Sequence, residues 1–157
     1  MSAVMLVSLL CSLAWLPLPF VAQAADPPAG TISPVGPTQT WTGTATGGAP
    51  SANEGTCVEG VNCDTYTLNV SGTPSDWTGK VISIKIEWTN PANDYDLYVH
   101  KDSNAGPVVG QSADGAPDTD ESTAISPSST GTGVYTVHVV YFSVTPLVDQ
   151  YRGTASV

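Results

Sequence analysis

The stretch Lys80-Val-Ile-Ser-Ile-Lys-Ile-Glu-Trp88 is the clearest indicator of fold class in this chain. Isoleucine alternates with polar residues, so Ile82, Ile84 and Ile86 share one face of an extended strand. A strand with one apolar face and one wet face is typical of an antiparallel sheet that covers a core on one side. The stretch therefore predicts a strand in such a sheet.

The same alternation, or a high density of β-branched residues, recurs along the rest of the chain at regular spacing. No segment shows the 3.6-residue period of a helix. We therefore predict an all-β sandwich of about eight strands. The predicted strands are residues 38–46, 65–70, 80–88, 94–101, 108–111, 121–125, 133–142 and 151–157.

The N-terminal residues are typical of a secretory signal peptide. Residues 1–19 are apolar and uncharged, and Ala22 and Ala24 are the small residues that a signal peptidase requires. We predict cleavage after Ala24 and an extracellular mature protein. No Lys or Arg precedes the apolar stretch, which leaves open a start further upstream. Residues 25–37 are rich in Pro and Gly and predict a linker or a loosely docked arm, followed by the sandwich over 38–157.

The charge of the chain excludes two classes of partner. Four basic and fourteen acidic residues give a net charge of −10. So few, scattered cations predict no binding to nucleic acid and none to an anionic membrane after signal cleavage. A strongly acidic surface instead favours cations.

Two cysteines remain in the predicted mature chain, Cys57 and Cys63, because Cys11 leaves with the signal peptide. An even pair in an exported protein predicts a disulfide. The loop that it closes is short, so its expected contribution to stability is only about 2 kcal/mol. The acidic residues around this loop are expected to face solvent: Glu54, Glu59 and Asp64.

Two groups of acidic residues are candidate calcium ligands. Asp94 and Asp96 are two positions apart on a predicted strand, so their carboxylates share a face about 7 Å apart at Cα. Their repulsion can be relieved by calcium or by hydrogen-bond donors from a neighbouring loop. The second group, Asp114, Asp118 and Asp120 beside Glu121, fits a calcium-binding loop or a solvated turn, although not the EF-hand spacing.

Motifs of catalysis are missing from the sequence, which predicts that the protein is not an enzyme. It has no Gly-x-Ser-x-Gly, His-Glu-x-x-His or phosphate-loop pattern. The two histidines, His100 and His138, lie in separate predicted strands and are expected to be solvated or packed. Trp77 lies in a predicted turn among polar residues, so it either stacks on a sugar ring or covers the end of the core.

Several segments together resemble bacterial pre-peptidase C-terminal domains. They are Cys63-Asp-Thr-Tyr-Thr-Leu-Asn-Val70, Ile86-Glu-Trp88, Asp94-Tyr-Asp-Leu-Tyr-Val99 and Gly133-Val-Tyr-Thr-Val-His-Val139. The resemblance, which covers residues 38–157, implies a jelly-roll-like, non-catalytic sandwich attached to exported enzymes. Related domains bind calcium, and some bind collagen or polysaccharide. Only Asp94 and Asp96 correspond by position to residues of the family motif, and the resemblance implies that they are acidic residues near a bound ion.

From these observations we predict an exported accessory domain for attachment to a polysaccharide or matrix protein. Calcium would stabilise this domain, and Trp77 is the predicted contact residue. The alternative is a structural cell-surface or fibre-forming module that recognises no small ligand.

Overall fold

The computed structural model describes residues 25–44, 50–145 and 150–157; the predicted signal peptide lies outside these residues. Short helical turns occur at Glu54–Thr56, Pro74–Trp77 and Pro127–Thr130. Within the described residues, no helix is long and apolar enough to cross a membrane. The described strands are β1 (Ala29–Ile32), β2 (Gln39–Thr44), β3 (Cys63–Val70), β4 (Ile82–Glu87), β5 (Asp94–Lys101), β6 (Val108–Ser112), β7 (Asp120–Ile125), β8 (Gly133–Ser143) and β9 (Gln150–Ser156).

These strands form two sheets that face each other across the core, so the predicted all-β sandwich is confirmed. The first sheet has five strands in the order β1-β3-β8-β5-β6, and the second has four in the order β2-β9-β4-β7. Every pairing is antiparallel except that of β1 with β3. The predicted strands match β2 to β9, with bounds that differ by a few residues at most.

The segment before the sandwich differs from the predicted linker or loose arm. It contains β1, which pairs in parallel with the edge of β3 and buries Ile32 completely. Ala25, at the start of the described chain, is only 2% exposed. A strand of four residues that includes a glycine is too short to show an alternating pattern, and its partner strand supplies the hydrogen bonds that order it.

The core follows the predicted alternation. Ile82, Ile84 and Ile86 of β4 are fully buried, and each contributes about 1.5–3 kcal/mol by removal from water. Trp41 stacks on Tyr66 across the two sheets, with ring centroids 4.0 Å apart and planes inclined by 6°. Gly153 makes room for this pair, because a Cβ there would lie 2.0 Å from Trp41 Cε2.

A loop of residues 50–62, here called the disulfide loop, covers part of the outer face of the first sheet. The predicted disulfide between Cys57 and Cys63 is confirmed, with a Cα–Cα distance of 5.7 Å. The loop is also tied to β8, since Tyr141 accepts a hydrogen bond from Ser51 and donates one to Asn62, both 3.0 Å long between backbone atoms. Part of this outer face is therefore dry.

Candidate cation sites

Asp94 and Asp96, the predicted calcium ligands, lie at the start of β5, where its pairing with β8 is irregular. Asp94 pairs with Ser143 and Asp96 with Val140, so the register shifts between them. Each aspartate is only 8% exposed, although the strand alternation turns them away from the core side chain of Leu97. The two carboxylates are therefore neighbours in a poorly hydrated place.

The electrostatics of this aspartate pair favour a cation. Asp94 Oδ1 is buried and finds no hydrogen-bond partner among the described residues. Burial raises the pKa of Asp94. Burial, followed by the negative charge of Asp94, raises the pKa of Asp96 to about 6, against a 3.4 Å hydrogen bond donated by Tyr98 Oη. A cation beside the pair would relieve both effects.

Glu121, which was not among the predicted ligands, is a third buried carboxylate in this region. It is 1% exposed, its Oε1 accepts a 2.7 Å hydrogen bond from the backbone of Asp114, and its Oε2 has no partner among the described residues. Burial raises its pKa, and the charges of Asp114 and Asp96 add to the shift. The oxygens of Asp94, Asp96 and Glu121 do not all come within 4.8 Å of one another. Glu121 therefore influences the aspartate pair by its charge and does not form a ligand group with it.

The second predicted group of acidic residues lies in solvent, as the alternative of a solvated turn predicts. Asp114, Asp118 and Asp120 are all exposed. Asp120 Oδ2 lies 3.5 Å from Lys85 Nζ on the outer face of the second sheet. Alternation along β7 turns Asp120 and Glu121 to opposite faces, which explains why Glu121 is buried while Asp120 is exposed.

The prediction of Trp77 as a ligand contact is contradicted, because its side chain is fully buried. Trp77 ends the 3-10 turn Pro74–Trp77, and its Nε1 donates a 2.9 Å hydrogen bond to the carbonyl of Ser71. Thr73 and Asp76 form a capping box at the start of this turn, and the indole ring belongs to the hydrophobic core. Among the described aromatic residues, only Phe142 is more than a third exposed, at 40%.

The structure brings the two histidines together beside a carboxylate that sequence analysis placed in solvent. His100 and His138 lie on the outer faces of the neighbouring strands β5 and β8, and their ring centroids are 6.3 Å apart. Glu54 of the disulfide loop reaches both: its Oε1 is 2.5 Å from His100 Nε2 and 2.8 Å from His138 Nδ1. We call these residues the His–Glu cluster.

The remaining ring nitrogens of the His–Glu cluster also have acceptors. His100 Nδ1 donates to the carbonyl of Gly106 at 2.9 Å, and His138 Nε2 lies 3.3 Å from Glu59 Oε1. Burial lowers the pKa of His138, but hydrogen bonds to Glu59 and Glu54 outweigh it, so the net shift is upward. Both histidines are less than 5% exposed, so the cluster is a buried network and not a solvated surface.

Asp64, also expected in solvent, is fully buried inside the sandwich. Its Oδ2 accepts hydrogen bonds from Tyr151 Oη at 2.7 Å and Tyr141 Oη at 3.2 Å, and its Oδ1 accepts one from the Ala25 backbone nitrogen at 3.2 Å. Burial raises the pKa of Asp64 to about 6 in spite of these bonds.

A shallow groove of about 320 Å³ crosses the outer face of the second sheet. It offers charged and amide groups, which hold polar small molecules. Its lining includes Lys85, Glu87, Trp88, Asp120, Gln150 and Arg152.

Comparison with known proteins identifies no family for the chain. No protein-family profile matches it, and no curated protein matches it. Among solved structures, it is similar to a glycoside hydrolase family 43 arabinoxylan arabinofuranohydrolase from Bacillus subtilis in complex with cellotetraose. The two are 17% identical with a TM-score of 0.38, over 80% of this chain and 27% of that one. A TM-score this low has no bearing on the function of the present protein.

Proposed function

We propose that this protein is an exported, non-catalytic β-sandwich module whose fold is stabilised by calcium bound at Asp94 and Asp96. The observation on which this rests is the buried, unpartnered Asp94 Oδ1 beside the buried Asp96. Two buried carboxylates destabilise a fold unless a proton or a cation neutralises them. At neutral pH a cation is the more favourable of the two.

Calcium fits this place because it takes six to eight oxygen ligands in flexible geometry, including water. The aspartate pair would supply two or more of them, and water would supply the rest. The disulfide supports export, since such bonds persist in oxidising compartments. Membership of the pre-peptidase C-terminal family remains a prediction.

Attachment to polysaccharide or matrix is the second part of the proposal, and the groove on the second sheet favours it. With Trp77 buried, the groove is the place where hydroxyl groups would meet Arg152, Glu87 and Lys85. A structural module without a ligand is the alternative. Retention on insoluble cellulose, chitin and collagen separates the two: loss of retention in Arg152→Ala would support attachment, and no retention of the wild type would support the alternative.

Thermal unfolding with millimolar calcium or with EGTA tests the calcium site. A ligand at 100 times its Kd stabilises the native state by about 3 kcal/mol, so the melting temperature should rise clearly with calcium. Asp96→Asn should abolish this rise, while Asp118→Asn, a change at an exposed aspartate, should keep it. Equal melting temperatures of the wild type in calcium and EGTA would remove calcium from the proposal.

A further inference from the structure

We propose that the His–Glu cluster is a binding site for a divalent first-row transition ion, with Glu54, His100 and His138 as ligands and zinc as the best-fitting probe. One ligand atom from each residue lies within 4.8 Å of the other two. The ligands come from the disulfide loop, β5 and β8, so the fold assembles them from distant parts of the chain. Two imidazoles and one carboxylate are a common ligand set of zinc.

The orientation of the rings is the second observation that points to a metal. A histidine ligand usually donates its other ring N–H to a carboxylate or a backbone carbonyl, which fixes the ring. Both patterns are present: His138 Nε2 faces Glu59, and His100 Nδ1 faces the carbonyl of Gly106. Nε2 of His100 and Nδ1 of His138 are thereby turned toward the same oxygen of Glu54.

The change needed to admit an ion is small. Ligands of a tetrahedral ion at bond lengths of 2.0–2.1 Å lie about 3.3 Å apart. Glu54 Oε1 now lies 2.5 and 2.8 Å from the two nitrogens, so it reaches that separation from them by withdrawing less than about 1 Å. Glu54 can make it, because its side chain is 22% exposed and belongs to a short turn. The sulfur atoms beside His138 are bonded to each other and are not thiolate ligands.

Titration of the metal-free, disulfide-intact protein with zinc tests this site independently of the calcium site. We expect one zinc per chain by calorimetry, a higher melting temperature with zinc, and the visible spectrum of tetrahedral cobalt when Co²⁺ replaces it. Glu54→Gln, which preserves size and hydrogen bonding, should weaken zinc binding at least tenfold. The exposed-acid control Asp102→Asn should bind as the wild type does.

Two results would overturn the metal proposal. One is a folded wild type that binds neither zinc nor cobalt at 100 µM, which would leave the cluster as a hydrogen-bonded network. The other is a Glu54→Gln variant that binds zinc as tightly as the wild type does. The calcium response of Asp94 and Asp96 is measured separately, so either site can fail without the other.

A different observation concerns the buried backbone nitrogen of Ala25. It lies 3.2 Å from Asp64 Oδ1, and both residues are at least 98% buried. Among the described residues, no Lys, Arg or His forms an ion pair with Asp64. The pocket is closely fitted around this carboxylate, because a Cβ on Gly43 would lie 2.1 Å from Asp64 Oδ2.

From this geometry we infer that export processing creates the missing cation. Hydrolysis of the Ala24–Ala25 peptide bond by a signal endopeptidase adds the hydroxyl of water to the carbonyl of Ala24 and a proton to the nitrogen of Ala25, and the proton that the new carboxyl group releases converts this amine into an ammonium group. The new α-ammonium group of Ala25 then forms a buried ion pair with Asp64. Cleavage thus replaces a hydrogen bond from a neutral N–H to the carboxylate by an ion pair and stabilises the mature protein. The inference rests on the proposed export.

The experiment compares the protein beginning at Ala25 with one that carries a Gly-Ser extension before Ala25. Loss of a buried charge partner is strongly destabilising, so the extended protein should melt about 5–10 °C lower. Asp64→Asn should reduce this difference to 2 °C or less, whereas Glu87→Gln should leave it unchanged. Melting temperatures of the two wild-type forms within 1 °C of each other would overturn the inference, as would an unchanged difference in Asp64→Asn.

Discussion

The outer faces of the two sheets differ although both belong to strands with the same alternation. On the second sheet, Lys85 and Glu87 stand in solvent with side chains 44% and 51% exposed. On the first sheet, His100 and His138 occupy equivalent outward positions and are 3% and 4% exposed. The difference comes from the disulfide loop, which lies over the first sheet. An outward position is therefore wet only where no loop covers it.

The largest expected difference in stability between the two faces comes from replacing a histidine that the disulfide loop covers. His138→Ala would empty a buried volume and remove the hydrogen bonds to Glu54 and Glu59, so we expect a loss of about 2–4 kcal/mol. Lys85→Ala on the bare face should change stability by less than about 0.5 kcal/mol. Urea unfolding in metal-free buffer measures both. A difference below about 1 kcal/mol would mean that covering by the disulfide loop adds little to stability.

A second contrast concerns pH and compares buried Asp64 with exposed Glu87. In a protein extended before Ala25, the pKa of Asp64 is about 6 in the folded state and about 3.8 in the unfolded state. Between these values the folded protein binds more protons, so the free energy of unfolding falls as pH rises from about 4 to 6, by up to about 3 kcal/mol.

Unfolding curves at pH 4, 5 and 6 measure this dependence. Asp64→Asn should make the fall smaller and leave the part that comes from Asp96, whose pKa burial also raises to about 6, whereas Glu87→Gln should leave the whole fall. In the protein that begins at Ala25, the ammonium group favours the charged form of the Asp64 carboxylate. The free energy of unfolding should therefore fall less steeply with pH in that protein. A fall that persists unchanged in Asp64→Asn would assign the pH dependence to another group.

The disulfide that anchors the covering loop should have a smaller effect. Replacing Cys57 and Cys63 together by serine relaxes a short loop, so we expect a loss of about 2 kcal/mol with the fold retained. Hydrogen exchange should then accelerate in the disulfide loop and leave β4 unchanged. Complete unfolding of this variant at 25 °C would show that the loop is a larger part of the fold than its length implies.

The smallest expected effect lies on the bare face. Lys85 Nζ is 3.3 Å from Glu87 and 3.5 Å from Asp120, in pairs that are about half exposed. Such pairs contribute little, so Asp120→Asn should alter stability by less than about 0.5 kcal/mol and the change should vanish in 1 M salt. A loss above about 1 kcal/mol that resists salt would indicate a covered face.

Most of the sandwich was predictable because strand alternation is a local property. Isoleucines two residues apart in β4 must share a face, whatever the rest of the chain does. The disulfide was predictable for a similar reason, since two cysteines six residues apart need little from the fold to meet. β1 was not predictable, because its order depends on hydrogen bonds from β3 and not on its own residues.

The same contrast explains the errors at the candidate sites. Trp77 has polar neighbours in sequence, yet the turn that contains it folds back and buries the ring. The sequence around Asp64 does not distinguish it from an exposed acidic residue beside a loop. It is buried because the fold places it inside the sandwich, where Tyr141 and Tyr151 donate hydrogen bonds to it.

Local pattern thus accounts for which residues form strands, which strand faces are apolar, and the position of Asp94 and Asp96 on one face. Burial of the outward side chains depends on contacts that no local pattern encodes. Glu54 meets His100 and His138 across 46 and 84 residues of sequence. Such meetings follow from how the sheets pack and which loop lies over them, because side-chain chemistry depends on solvent exposure and neighbours in space more than on neighbours in sequence.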